Sequence, residues 1–271
     1  MNRIDGLIGS RLVGDAPICL FEGAHQVWWI GSKEESPFRC NAYLIVDGDT
    51  RVLLDPGSSR WHFPQVKARV AQIIDPTTVT HIIAHHQDPD VIDSLPDWLA
   101  LAPQAEVVCT PRTRVLLPFY GTPDGTRWLD VSPLDNTVLE LPHTTLVFIT
   151  SPFLHFPEAM VTWDEASGYL FSSDIGAAID DDWKLVADDW DQHWRTMVPF
   201  HVFYMANNRA LRGFCEKIAP FPISAILPQH GSILPGSMVK RALDALRELP
   251  CGIDLLYPAS NIESLLAGLI K

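Results

Sequence analysis

No two of the five cysteines stand in a CxxC spacing. Cys19, Cys40, Cys109, Cys215 and Cys251 are scattered and odd in number. That pattern excludes a disulfide framework and a cysteine-rich zinc site as organising devices, and it fits a reducing cytosol. Positive charge is also scarce. Twenty Lys and Arg stand against 33 Asp and Glu, a net charge of −13, which argues against a nucleic-acid partner and against an anionic membrane surface. No run approaches the ~18 apolar residues of a membrane span. The opening "MNRIDGLIGSRLVGDAP" lacks the apolar stretch of a signal peptide, so a cytoplasmic location is the expectation. There is no internal repeat, low-complexity tract or Pro/Ser-rich linker. With 47% hydrophobic residues over 271 positions, a single domain over residues 1–271 with one large core is the economical reading.

The first half reads as strands closed by turn residues. "ICLFEG", "QVWWIG", "NAYLIVDG" and "RVLLDPG" are β-branched or aromatic runs ending in Gly, Asp or Pro, and "DGDT" at 47–50 suits a hairpin turn. Residues 64–75 have helical spacing, "THIIAHH" is a short buried strand, and "VIDSLPDWLA" is a short helix. "EVVCT", "TTLVFITS", "AMVTWD" and "GYLFSSD" are further strands. Residues 177–195 are rich in Asp and Trp without clean periodicity and read as a surface loop or lid. "VPFHVFYMANNRALRGFCEKI" reads as one longer helix, "ISAILPQHG" as a strand ending in a histidine, and "GSMVKRALDALRELP" as an amphipathic helix. Strands in both halves with helices between them are compatible with an αββα sandwich, and equally with an ordinary α/β layer arrangement.

The chemistry concentrates in "AHHQDPDV", residues 84–91. His86, Asp88 and Asp90 stand at i, i+2 and i+4 where a strand gives way to a loop. Alternate residues of extended chain share a side, and carboxylates mixed with imidazole suit iron, manganese or zinc. The register one residue earlier offers His85, Gln87 and Pro89, which is useless for metal, so His86 leads the triplet and His85 is the spare. The same stretch also fits a plain polar loop in which Asp90 caps a helix starting near Val91. Three later residues bear on that choice. His155 lies between two strands, Asp174 follows "LFSS", and His230 ends "AILPQ". Each is a potential ligand at a strand terminus, where loops gather into a site.

In order and context these motifs resemble the metallo-β-lactamase fold, specifically the diiron domain of the flavodiiron proteins. That family shows H-x-E-x-D-H, then a histidine before a proline and an acid, an aspartate after "LFS", and a last histidine in an "HG" pair. Here the counterparts are His86-Gln87-Asp88-Pro89-Asp90-Val91, "LHFPEA", "LFSSD" and "PQHG", and the likeness covers about residues 18–235. The resemblance implies an αββα sandwich and two iron ions. His86, Asp88 and His155 would hold one iron, Asp90 and His230 the other, and Asp174 would bridge both. Asp88 stands where the family usually has Glu, which keeps an oxygen ligand and favours iron over zinc. Val91 stands where the family has a ligating His, which leaves the second iron one protein ligand short. Only 41 residues follow His230 (271 − 230), so no flavodoxin domain and no FMN are expected in the chain.

These departures resemble the stand-alone oxygen-binding di-iron proteins associated with bacterial chemotaxis. That likeness implies a non-haem site that binds dioxygen as a diiron-peroxo species and acts as an oxygen or redox sensor, with a chemoreceptor or other signalling protein as partner and a homodimer left open. The alternatives are an oxygen or nitric oxide reductase fed by an external donor, and a zinc-dependent hydrolase. Around the site, His85 reads as a supporting or core residue that could fill the gap left by Val91. Tyr204 reads as core packing first and as a wall of the site second. His25, His62, His81, His143, His193 and His201 lack paired spacing and read as surface or satisfied core histidines. Trp183, Trp190 and Trp194 cluster in the acidic segment and read as apolar anchors of a solvated loop, or as a partner surface.

Overall fold

A computed structural model describes residues 1–11, 14–32, 38–132, 134 and 136–256. Two sheets carry the fold. The first contains β1 (Ile18–Phe21), β2 (His25–Trp29), β3 (Tyr43–Asp47), β4 (Thr50–Leu54), β5 (His81–Ile83), β6 (Glu106–Cys109) and β7 (Arg127–Asp130), in that spatial order. Its first four strands are antiparallel neighbours, and β4 to β7 pair in parallel. The second contains β8 (Thr137–Glu140), β9 (Thr145–Thr150), β10 (Met160–Asp164), β11 (Tyr169–Ser173), β12 (Ala225–Pro228) and the two-residue β13 (Leu234–Pro235), in the order β13-β12-β11-β10-β9-β8. Within it β11 and β12 are parallel and the other neighbours antiparallel.

Period-two alternation decides what each strand buries. Val27, Trp29, Tyr43, Ile45, Val52 and Leu54 of the first sheet meet Leu146, Phe148, Met160, Tyr169, Phe171 and Leu227 of the second in one central apolar layer. The intervening residues face outward. Leu44, Leu53, Ile82 and Val107 pack under α1 (Phe63–Val70), α2 (Pro89–Ile92) and α3 (Leu95–Leu101), through Val66, Val70, Ile92, Leu95 and Trp98. A further short helix, α4 (Pro111–Leu116), follows β6. Ile149, Val161, Leu170 and Ile226 pack under α5 (Trp190–Tyr204), α6 (Asn208–Ile218) and α7 (Gly236–Glu248), through Met197, Phe200, Leu211, Phe214 and Leu246. Strands buried on both faces read as continuous apolar runs, which is why β10 and β11 are buried along their whole length. Helix, sheet, sheet, helix is the αββα sandwich.

Two expectations change. Residues 177–189 are a loop with exposed aspartates, as expected, but it is anchored in the core rather than held over the surface as a lid. Ala177, Ala178, Trp183, Leu185, Val186 and Ala187 are buried, and α5 already begins at Trp190. Trp183 lies 6.0 Å from Trp29, and Trp190 is buried with Trp194 stacked on it at 5.4 Å, so these side chains serve the interior and not a partner surface. The single long helix is two helices. The chain leaves helical geometry at Met205, and the Asn207 side chain accepts the backbone N–H of Ala210 to start α6. Strands β7 and β8 and helix α4 go beyond the sequence reading, because they are short and only partly buried.

Candidate metal centre

Strands β5, β9, β11 and β12 end at the same edge of the sandwich, and the loops that follow them supply the site. After β5 the chain turns through Ala84–Gln87, so consecutive histidines face opposite ways. His85 turns inward: Asp55 contacts its Nδ1 at 2.5 Å and takes its backbone N–H at 3.1 Å, and Thr162 Oγ1 meets Nε2 at 2.8 Å. Both ring nitrogens are thereby used away from the cluster. His86 turns the other way. Asp88 occupies the N-cap position of α2, yet its side chain makes no cap bond. Its Oδ2 lies 3.2 Å from His155 Nε2 and 3.7 Å from His86 Nε2. Asp90 sits inside the helix, so it is not the cap that the bland reading required, and its Oδ2 lies 3.2 Å from His230 Nε2.

Asp174 stands in the middle. Its Oδ2 is 3.0 Å from His155 Nε2 and 3.3 Å from His86 Nε2, whereas its Oδ1 is 3.6 Å from His230 Nε2. The two oxygens of one carboxylate therefore address two donor groups. His86, Asp88 and His155 form one group with ligand atoms within 4.8 Å of one another, and Asp90 and His230 belong to the second. The far ring nitrogens of His86 and His230 are held as those of metal-bound imidazoles commonly are. His230 Nδ1 donates to the Arg39 carbonyl at 3.0 Å, and His86 Nδ1 meets Ser173 Oγ at 3.0 Å. All six residues singled out as ligands are brought together.

The donor set fits two divalent cations. Burial works against the charge of every member, and the neighbours override it. His155 is pushed up to about 10 by Asp174 and Asp88 despite its burial. His86 and His230 are raised against the same penalty by Asp174 with Asp88, and by Asp90 with Asp174. Burial would raise Asp174, but His86, His155 and His230 hold it down at about 2; Asp88 and Asp90 are likewise lowered by their histidines. One buried carboxylate, Asp174, and two partly buried ones, Asp88 and Asp90, thus call for compensating positive charge at one point, the condition under which buried charges are tolerated. Asp174 Oδ1 is buried without a hydrogen-bond partner among the described residues, an acceptor left for a cation.

A cavity of about 360 Å³ opens on this cluster, walled by Phe38, Pro89, Phe200 and Tyr204 beside the acidic and imidazole groups. Tyr204 is half exposed, stacks on Phe200 at 4.4 Å and meets the His155 ring edge at 5.8 Å. It is a wall of the cavity and not the core residue first expected. Val91 is buried in the apolar layer beneath α2 and does not line the cavity. His193 and His201 are buried and lowered to about 4 by that burial. His201 bridges the Gly176 N–H and the Met197 carbonyl, a structural task. Sequence reasoning missed Cys40, whose Sγ lies 3.9 Å from Asp90 Oδ2 and 3.7 Å from His230 Nδ1. No local spacing in "FRCNAY" could have found it, because its neighbours come from positions 90 and 230.

An αββα sandwich with histidine and aspartate loops at one sheet edge, sharing a central carboxylate, defines the metallo-β-lactamase-fold class with a two-metal site. Within that class, the family model described as ODP family beta lactamase matches residues 38–231, and the chain belongs to this family. A structure of the peroxy diiron species of the chemotaxis sensor ODP is 30% identical in sequence, with a TM-score of 0.79 over 92% of this chain and 99% of that one. The apo state of the chemotaxis sensor ODP from T. denticola is 31% identical, with a TM-score of 0.77 over 92% and 98%. Curated relatives include the type A flavoprotein fprA of Rhodobacter capsulatus, 25% identical over 86% of this chain and 54% of its own length. A nitric oxide reductase of Moorella thermoacetica is 30% identical over 82% and 48%. The chain spans about half the length of these two curated relatives.

Proposed function

We propose that this chain is a non-haem diiron protein that binds dioxygen and serves as an oxygen or redox sensor, with His86, Asp88 and His155 on one iron, Asp90 and His230 on the other, and Asp174 shared. The observation that carries the reading is the placement of Asp174, whose two oxygens face two separate groups of donors 3.0–3.6 Å away. Three carboxylates among six ligands make a hard donor set suited to iron. The similarity to the peroxy diiron species of the chemotaxis sensor ODP supports the same metal. Two ferrous ions held there would supply both the electrons and the coordination position that dioxygen needs. The chain's own residues do the rest. Ser173 and the Arg39 carbonyl orient His86 and His230. Phe38, Phe200 and Tyr204 line the cavity beside the acidic and imidazole groups and give it an apolar wall suited to a small apolar molecule such as dioxygen.

A signalling protein such as a chemoreceptor is the partner this reading calls for. The nitric oxide reductase among the relatives favours a second reading, a reductase supplied by a separate electron donor. Anaerobic loading with Fe²⁺, followed by elemental analysis and Mössbauer spectroscopy, should find two coupled irons per chain, and oxygen should then bleach the ferrous signal once per loading. Two tightly held zinc ions with hydrolytic turnover and no iron uptake would sink the reading. Continuous oxygen or nitric oxide consumption in the presence of a reductant would decide for the reductase.

A further inference from the structure

The two halves of the centre are unequally supplied. Besides the shared Asp174, the first metal position has two imidazoles and a carboxylate from His86, His155 and Asp88, whereas Asp90 and His230 give the second only one of each. We infer that the Cys40 thiolate is a further ligand of the second metal position, an assignment that rests on the two-metal reading and adds a sulfur donor to it.

Three observations carry this. The first is distance. Metal–sulfur bonds are ~2.3 Å and metal–oxygen bonds ~2.0–2.2 Å, so a thiolate and a carboxylate oxygen on one ion lie no more than ~4.5 Å apart. Cys40 Sγ is 3.9 Å from Asp90 Oδ2, and ligand atoms of Cys40, Asp90 and His230 all lie within 4.8 Å of one another. The second is surroundings. A buried cysteine is usually a small hydrophobe, and Cys109, Cys215 and Cys251 obey that rule inside apolar clusters. Cys40, though 96% buried (4% exposed), belongs to none of the apolar clusters and faces a carboxylate and an imidazole. The third is rigidity. Cys40 forms an antiparallel bridge with His230, the Asn41 N–H donates to the Gln229 carbonyl at 2.6 Å, and the Asn41 side chain donates to the Pro228 and Gly231 carbonyls at 2.9 and 2.8 Å. These bonds fix the sulfur beside the His230 loop before any metal arrives.

Ligation exchanges the thiol proton for the metal. The Sγ–H bond breaks, its proton leaves to solvent, and a sulfur–metal bond forms with no change in oxidation state. Iron, zinc and cobalt all accept such a mixed sulfur, nitrogen and oxygen set.

The test uses Co²⁺ as probe, added under anaerobic conditions to metal-free protein. Thiolate bound to Co²⁺ absorbs strongly in the near ultraviolet by charge transfer, whereas nitrogen and oxygen ligands do not. Wild type should take two cobalt ions and show this band. Cys40→Ser should lose the band and bind the second ion about tenfold more weakly or worse, the least expected when even a supporting residue of a metal site costs ~10–100-fold. The visible d–d bands of the first ion should persist in that variant and show that it is folded. Cys19→Ser, remote from the site, should match wild type. Two bound cobalt ions without the band, or a band that survives Cys40→Ser, would overturn the cysteine assignment and leave the two-metal reading standing. Uptake of a single ion would overturn the two-metal reading, and loss of its band in Cys40→Ser would still uphold the sulfur ligand.

Discussion

Asp174 shows what one residue does when a fold converges on it. It is the side chain whose carboxylate meets both donor groups, and its Oδ1 lacks a hydrogen-bond partner among the described residues. Asp88 meets only His86 and His155. Asp174→Ala should therefore remove both metals and any magnetic coupling between them, whereas Asp88→Ala should weaken the ion beside His155 and spare the other. Metal stoichiometry and integer-spin resonance of each variant check this, and equal independent loss in both would contradict the shared carboxylate. At this scale the donor residues were legible in the chain through the order and context of the His/Asp motifs, whereas the strand periodicity expected of His86, Asp88 and Asp90 does not hold, because β5 ends at Ile83 and Asp88 and Asp90 belong to the start of α2. The role of His85 was not legible, because it depends on Asp55 and Thr162, which lie 30 and 77 residues away.

The helices on the outer face of the second sheet decide who walls the site. In sequence, "VPFHVFYMANNRALRGFCEKI" carries an unbroken helical pattern, and nothing local demands a stop. The structure breaks it at Met205–Asn207 and starts α6 on the Asn207 side chain, whose Oδ1 accepts from Ala210 N at 2.9 Å. That break leaves Phe200 and Tyr204 at the end of α5, over the metal cluster. Asn207→Ala should cost ~1 kcal/mol of unfolding free energy, the usual worth of an N-cap, read as a lower urea midpoint with an unchanged slope. An unchanged midpoint would mean that packing of Leu211 and Phe214 alone fixes where α6 begins.

Across the whole molecule, the edge opposite the metal cluster is closed by a polar clasp between the two sheets. His25 of β2 meets Asp47 of β3 at 3.2 Å and Asp164 of β10 at 2.8 Å, all three buried. His143 and Thr144, from the turn between β8 and β9, add bonds to Asp47 and Asp164 at 2.5 and 2.6 Å. Burial disfavours the His25 charge, but Asp164 and Asp47 outweigh it and raise the imidazole above its usual 6.5. Asp164 is lowered from 3.8, its burial overcome by His25, Ser167 and Thr144. A raised histidine contributes stability that is complete below about 6.5 and is lost as pH climbs through the folded value. A lowered aspartate contributes above 3.8 and is lost as pH falls through its folded value. The clasp should therefore be strongest between those limits. Removing one partner of a buried pair costs ~3–5 kcal/mol, so His25→Gln should lose about that much near pH 5.5, with the gap from wild type narrowing in alkaline buffer. Urea unfolding of both metal-free proteins across pH measures it, and a gap independent of pH would show that His25 is not charged in the fold.

The sequence by itself determined the long buried strand runs, the apolar faces of the helices and which oxygen and nitrogen groups are candidate donors. Those properties follow from short-range periodicity, from residue chemistry and from the order of motifs along the chain. Only the tertiary structure decided that the apolar residues of 177–195 join the core while most of its aspartates stay exposed, that α5 and α6 are separate, that Tyr204 faces a cavity, and that Cys40 lies beside Asp90 and His230. Apart from the start of α6, which rests on the local Asn207 cap, these features depend on contacts between segments tens to hundreds of residues apart, such as the 190-residue separation of Cys40 and His230. Burial and proximity at that range are set by how two sheets stack, which no local pattern encodes.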